Sequence, residues 1–171
     1  MPKEICQDRP TEEELENLSK KNIAMLKTGL GMPMANLPVA PFSQWLNGKL
    51  LSVDRGEVSA RYQLRPEMAN PTGILHGGLQ CALIDELIGI ACFTLGFPGF
   101  HLSIDITVNY LGRVKVDEEI TCYSKIIREG NKIVNAQAEI RGPDNRVIAS
   151  GHSNLLVTTK EVDFVKNFEQ N

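Results

Sequence analysis

Residues 70–96 read Asn70-Pro71-Thr72-Gly73-Ile74-Leu75-His76-Gly77-Gly78-Leu79-Gln80-Cys81-Ala82-Leu83-Ile84-Asp85-Glu86-Leu87-Ile88-Gly89-Ile90-Ala91-Cys92-Phe93-Thr94-Leu95-Gly96. The first nine residues are a turn-rich loop ending on a glycine pair. The rest is an apolar run whose only charges between Gly77 and Leu95 are Asp85 and Glu86. Leu79, Ala82, Leu83, Leu87, Ile90 and Ala91 recur at helical spacing, and Cys81, Ile84, Ile88 and Cys92 form a second stripe. A helix apolar nearly all round must be buried. Two adjacent acids in mid-run exclude a membrane span, because one such charge costs about 2.5–3.5 kcal/mol at a bilayer centre. The run therefore predicts the central helix of a soluble fold. It carries an acid that is costly to bury unless paired or hydrogen-bonded.

The flanking sequence sets the class. Thr11 before Glu12-Glu13-Glu14 is a helix start, and Leu15, Leu18, Ile23 and Leu26 predict an amphipathic helix over residues 11–28. Gly29, Gly31, Pro33, Pro38 and Pro41 predict an irregular connector over 29–44. From Trp45 the period becomes two. Residues 46–54 and 56–65 read as a hairpin about Asp54-Arg55-Gly56. His101 to Tyr110 alternates cleanly, with Leu102, Ile104, Ile106, Val108 and Tyr110 expected on one face and Ser103, Asp105, Thr107 and Asn109 on the other. Residues 117–128, 132–141 and 146–159 complete the strands, the last two joined by Gly142-Pro143-Asp144-Asn145. Residues 161–168 are expected to form a short terminal helix. Hairpin-linked strands imply an antiparallel sheet, and one buried helix among them implies an α+β fold: a curved sheet wrapped around the helix.

With 171 residues the chain suffices for one domain with a full core. A net charge of −3 and the absence of a basic run exclude a nucleic-acid partner. Met1-Pro2-Lys3-Glu4-Ile5 leads into acids instead of an apolar signal core, so a cytoplasmic location without membrane attachment is expected. Cys6, Cys81, Cys92 and Cys122 lie far apart with no C-x-x-C pair and are read as reduced structural thiols.

Asn70-x-x-Gly73-x-x-His76-Gly77-Gly78, with Asp85 nine residues after the histidine, resembles the PaaI-type acyl-CoA thioesterases of the hotdog-fold, 4-hydroxybenzoyl-CoA thioesterase-like superfamily. Leu102-Ser103-Ile104-Asp105-Ile106 to Tyr110-Leu111, Gly130 to Gly142, and Val147 to His152 are similar to the strands that follow the family's helix. The resemblance covers residues 45–159. It implies a hotdog fold, at least a homodimer (a dimer of dimers is left open), and hydrolysis of an acyl-CoA substrate without metal or organic cofactor. The domain division expected is an N-terminal helical arm and connector over 1–44, a thioesterase domain over 45–160 and a tail over 161–171.

The chemistry of a thioester hydrolase asks for oxyanion donors, an acid/base or nucleophile, and an acyl slot. Gly77 and Gly78 stand at a helix N-terminus, where N–H groups are unpaired and the dipole favours negative charge; the competing reading is a tight turn. Asp85 matches the family's catalytic acid, as nucleophile or as general base, and partial burial would raise its pKa. Glu86 is its neighbour, about 100° further round the helix. His76 is expected to orient the loop or to bond the thioester carbonyl. Asn70 is expected to hold the loop or the attacking water. Ser103 matches a position that helps to place water, and Gly73 and Leu79 complete the expected substrate contacts. Leu79, Leu83, Ile84 and Ile88 are candidate slot residues. His101 and His152 lack metal-ligand spacing and are expected at the solvent edge. Arg113, Lys115, Lys125, Arg128, Arg141 and Arg146 are available for CoA phosphates. The arm is open to two readings: over the pocket mouth or dimer interface, or on the outside of the sheet. Asp85 lies about 12 Å along the helix from Gly77, whereas a reacting carbonyl sits about 3 Å from both donor and nucleophile. The site is therefore expected to combine two chains. The readings held against hydrolysis are a non-catalytic acyl-CoA-binding module and a hotdog hydratase.

Overall fold

The apolar run forms helix α3, Gly77–Phe93, with His76 as its N-cap. Its side chains Leu83, Ile84, Leu87, Ile88, Ala91 and Cys92 are buried against a six-stranded antiparallel sheet. The strands are β1 (Lys49–Asp54), β2 (Glu57–Gln63), β3 (His101–Tyr110), β4 (Glu119–Glu129), β5 (Ile133–Arg141) and β6 (Val147–Val157). Their order across the sheet is β1-β2-β4-β5-β6-β3, and α3 touches β2 to β6. The computed structural model describes residues 10–159.

The sheet closes around α3 because its inner face is lined by small side chains. One cross-strand row runs Ala60–Cys122–Ile140–Ala149–Tyr110, and the next runs Val58–Ser124–Ala138–Gly151–Val108. A Cβ on Gly151 would stand 3.1 Å from Ile84 Cγ2, so the helix rests almost on the strand backbone. Close packing at this depth gives the helix many weak dispersion contacts, which together are large.

The arm begins as expected. Helix α1, Glu12–Thr28, starts on a capping box in which Glu14 N–H donates to Thr11 Oγ1 at 3.2 Å and Thr11 N–H donates to Glu14 Oε2 at 2.7 Å. The arm does not lie on the outside of the sheet. It covers the face of α3 that the sheet leaves bare. Ser19 Oγ donates to the Thr94 carbonyl at 2.6 Å and Asn22 Nδ2 to the Phe93 carbonyl at 2.9 Å. Thr94 Oγ1 donates to the Ala91 carbonyl at 2.6 Å. The carbonyls left over at the end of α3 are thus satisfied partly by its own turn and partly by α1.

Three expectations are corrected. The connector over 29–44 is not wholly irregular: it holds a 3-10 turn at Met34–Asn36 and leads into helix α2, Pro41–Leu46. Pro41 suits the first helical position because its missing N–H would have been unpaired there. Helix α2 crosses the expected boundary at residues 44 and 45, and the first strand begins at Lys49 instead of residue 46. The uniform alternation of β3 also fails. Ser103 opposes Leu155 and Asp105 opposes Asn154, leaving Ile104 as an extra residue in the strand. This bulge reverses the phase. Ser103 therefore turns toward α3, as do Ile106, Val108 and Tyr110 beyond the bulge, while Leu102 sits opposite Leu156 on the outer face. The expected terminal helix at 161–168, the tail and Cys6 lie outside the described residues. Cys81, Cys92 and Cys122 form no disulfide. Among the described residues no helix is long and apolar enough to cross a membrane.

Gly96 makes the docking of α1 testable. Its φ is +86°, and a Cβ there would stand 2.2 Å from the Leu15 carbonyl oxygen and 2.5 Å from Ser19 N. Gly31 has a similar φ of +74° with nothing within 4 Å. Gly31→Ala is predicted to cost about 1–2 kcal/mol, the left-handed penalty alone. Gly96→Ala is predicted to cost more, about 3 kcal/mol or beyond, since backbone must also move. Urea unfolding of the two variants checks the difference.

Candidate active site

The loop before α3 is organised by Asn70. Its Oδ1 accepts from Thr72 N–H at 2.9 Å, Thr72 Oγ1 at 2.7 Å and Ile74 N–H at 3.3 Å. This is the local hydrogen bonding by which Asn mimics a backbone turn. Gly73, at φ +78°, lets the chain reverse. The loop is then pinned from outside: His76 N–H donates to the Met68 carbonyl and Leu75 N–H to the Val114 carbonyl, both at 2.9 Å. Of the two uses weighed for Asn70, its carbonyl oxygen serves the loop.

His76 caps the helix. Its Nδ1 accepts from Gly78 N–H at 2.9 Å, which leaves Nε2 as the ring nitrogen that can donate. The expectation for Gly78 is thereby corrected: its N–H is occupied. Gly77 N–H has no acceptor among the described residues. Tyr110 closes over it, donating from its hydroxyl to the Gly77 carbonyl at 3.1 Å, with its ring 3.3 Å from where a Gly77 Cβ would lie. Tyr110 carried no sequence signal beyond its place at a strand end.

Asp85 is two turns further along, and the burial argument made for it belongs to its neighbour. Asp85 is exposed, and Ser103 Oγ donates to its Oδ1 at 2.8 Å. Glu86 turns under the arm, where Ser43 of α2 donates to its Oε1. Burial holds the Glu86 carboxyl above the usual range, the Ser43 hydrogen bond opposes this, and the charge of Asp85 adds to it. Ser43 gave no signal in the sequence.

Asp85, Glu86 and Ser103 line a cavity of about 670 Å³ between α3 and the arm. Its wall includes Gly89, Ile90 and Phe93 of α3, Leu26 of α1, and Leu37 and Val39 of the connector. The slot expected from Leu79, Leu83, Ile84 and Ile88 is not there. Leu83, Ile84 and Ile88 are spent on the sheet, and Leu79 packs partly buried against the same core. The helix faces the sheet with one stripe and the cavity with another, and the apolar run did not distinguish them. Gly89, a glycine interrupting an apolar helix, was the available signal.

His101, also in the cavity wall, is buried at 8% exposure and not at the solvent edge. Its ring stands edge-on to Phe97 at 5.3 Å, and its Nε2 has no hydrogen-bond partner among the described residues. Burial pushes its pKa down to about 4. His152 is exposed, as expected.

The site residues therefore fall into two groups on one chain. Asn70, Gly73, His76, Gly77, Gly78 and Tyr110 gather at the start of α3, and Asp85 and Ser103 stand at its middle, beside the cavity. Residues 72–149 match the family model described as Thioesterase superfamily. Over these residues, a little under half of the chain, the sequence is similar to that superfamily, and the fold is of the hotdog type. The chain is 27% identical over 105 residues to human acyl-coenzyme A thioesterase 13, covering 60% of this chain and 74% of that protein. It is 25% identical over 133 residues to the medium/long-chain acyl-CoA thioesterase YigI of Escherichia coli K12, covering 68% and 85%. In fold it is similar to the Escherichia coli PaaI protein of the phenylacetic acid degradation operon, with a TM-score of 0.70 at 15% identity over 86% of this chain and 98% of that one. The PaaI-type resemblance read from the loop and helix is consistent with these findings.

The buried histidine gives the protein a pH signature. A histidine held neutral on folding adds stability above its unfolded pKa, and this is lost as pH falls toward the folded value. Between about pH 6.5 and the folded value of about 4, His101 is predicted to withdraw up to about 3 kcal/mol. His101→Phe is expected to show a smaller fall in urea midpoint than wild type across that interval.

Proposed function

We propose that this protein hydrolyses an acyl-CoA thioester to free acid and CoA, with Asp85 as the catalytic carboxylate. The observation that carries this reading is the exposed Asp85, held by Ser103 at the rim of an apolar cavity. Ser103 occupies one carboxylate oxygen and leaves the other for the reaction. As a nucleophile, Asp85 attacks the thioester carbon, the carbonyl oxygen gains the charge, and collapse expels CoA thiolate to leave an anhydride that water cleaves. As a general base it takes a proton from water while the water oxygen attacks, and the departing thiolate is then protonated. Single turnover in labelled water separates the two, because only the first route leaves label in the Asp85 carboxylate.

In either route the oxyanion needs a donor that the same chain does not bring near Asp85. Gly77 N–H is free but two helical turns away, about 12 Å along α3. A second copy, with its central helix antiparallel, supplies its own Gly77 to this Asp85 and receives the reciprocal contact. Support comes from β3, which ends the sheet with one row of backbone groups unpaired among the described residues. Leu102, Ile104, Tyr110 and Leu111 are exposed along or just beyond it. An exposed apolar edge strand is a template for pairing with another chain. A homodimer joined at β3 covers it and carries two sites.

For the CoA phosphates, Arg113 and Lys115 are the favoured cations. Both are exposed on the segment that pins the Gly77 loop, through the Ile74–Lys115 bridge and the Leu75–Val114 hydrogen bond. Lys125, Arg141 and Arg146 are engaged by Glu57, Glu139 and Asp144.

Free-thiol release from short-, medium-, long-chain and aryl acyl-CoAs is the test. Asp85→Asn is predicted to lower kcat by at least about 100-fold, the usual scale for a lost catalytic acid or base, and Glu86→Gln to cost less. The reverse order moves the chemistry to Glu86. Turnover is expected to vanish on dilution to monomer, and a fully active monomer overturns the composite site.

A further inference from the structure

The cavity beside Asp85 is built by two parts of the chain with different standing. Its floor is α3, inside the segment matched by the family model, and its roof is the arm, which lies outside residues 72–149. The floor has one break. A Cβ on Gly89 would meet nothing within 4 Å, whereas Ile90 and Phe93 fill the positions beside it. The polar side chains of the roof are engaged, Ser43 with Glu86, Asn22 with the Phe93 carbonyl and Thr28 with the Met25 carbonyl, leaving Leu26, Leu37 and Val39 to present apolar surface to the space.

We propose that this arm-roofed cavity is the acyl chamber, that it takes a linear medium-to-long acyl chain, and that Gly89 sets the length admitted. The proposal rests on the acyl-CoA reading of the site. The occupant follows from continuity: a thioester carbonyl beside Asp85 has its acyl chain at the mouth of the cavity that Asp85 and Ser103 line. At about 670 Å³ the space lies within the ordinary range for small-molecule sites and is far larger than an acetyl group requires. An apolar enclosure rewards length, because each methylene removed from water is worth about fourfold in affinity. The missing side chain at Gly89 is what leaves room for the distal methylenes against α3. The arm, with no part in the chemistry, acquires a function as the wall that keeps them from water.

The experiment compares dodecanoyl-CoA with butanoyl-CoA in wild type, Gly89→Ala and Gly89→Leu. Both substitutions enter open space and replace glycine with a better helix former, so the fold is retained. Gly89→Leu is expected to lower the ratio of kcat/KM for dodecanoyl-CoA over butanoyl-CoA by at least tenfold, with Gly89→Ala between. Binding of the two non-hydrolysable thioether analogues is measured alongside. If wild type releases no thiol from either substrate, yet binds the dodecyl analogue at least tenfold more tightly than the butyl one and loses that preference in Gly89→Leu, the hydrolase reading fails and the chamber stands. Equal binding of the two analogues by wild type, or a length preference unchanged in Gly89→Leu, overturns the chamber.

Discussion

A helix apolar on nearly every side needs two coverings, and most of this structure follows from supplying them. The sheet is the first. Its inner rows are built from Ala60, Cys122, Ala138, Ala149 and Gly151 where the helix comes nearest, which lets α3 settle deep in the curve. The arm is the second. It does not seal its face of α3 as tightly, because Gly89 gives it nothing to pack on. A face covered but not filled is a cavity, and the cavity lies where the acids are.

The two acids show how a step of one residue on a helix divides labour. Asp85 falls at the rim, where Ser103 reaches it from β3, and Glu86 falls beneath the arm, where Ser43 reaches it from α2. Neither partner is near its acid in sequence. Ser103 depends on a bulge as well: without the extra residue at Ile104, the alternation of β3 would set Ser103 on the outer face. The geometry around Asp85 is thus fixed as much by an irregularity in a strand as by the helix that carries the acid.

This explains what could be read in advance. The order of elements, the helix start at Thr11, the strands and the buried helix were legible, because they rest on periodicity and turn residues within a few positions of one another. The loop from Asn70 to Gly78 was legible for the same reason. The assignments that failed depend on contacts distant in sequence. Asp85 looked like the buried acid because both acids sit in one apolar run, and only the placing of α2 distinguishes them. Leu79, Leu83, Ile84 and Ile88 looked like slot residues because a helix apolar all round does not say which stripe meets the sheet. His101 looked exposed because it begins a strand, and the adjoining Phe97 turn that encloses it is invisible to a period-two pattern. Proline spacing before residue 41 concealed α2, since proline serves a helix start as readily as it breaks one.

The hydrogen bond from Ser19 to the Thr94 carbonyl spans 75 residues, and this orders events during synthesis. The arm leaves the ribosome ahead of α3, and the end of α3 on which it docks is made later by on the order of 4 to 15 seconds at ordinary elongation rates. Most helical stability in proteins comes from packing of an apolar face, so through that interval α1 lacks the surface that would hold it. The sheet and the central helix must come together before it does. The segment translated ahead of the core is therefore among the last to become ordered, and the enclosed space beneath it is completed only when the core already stands.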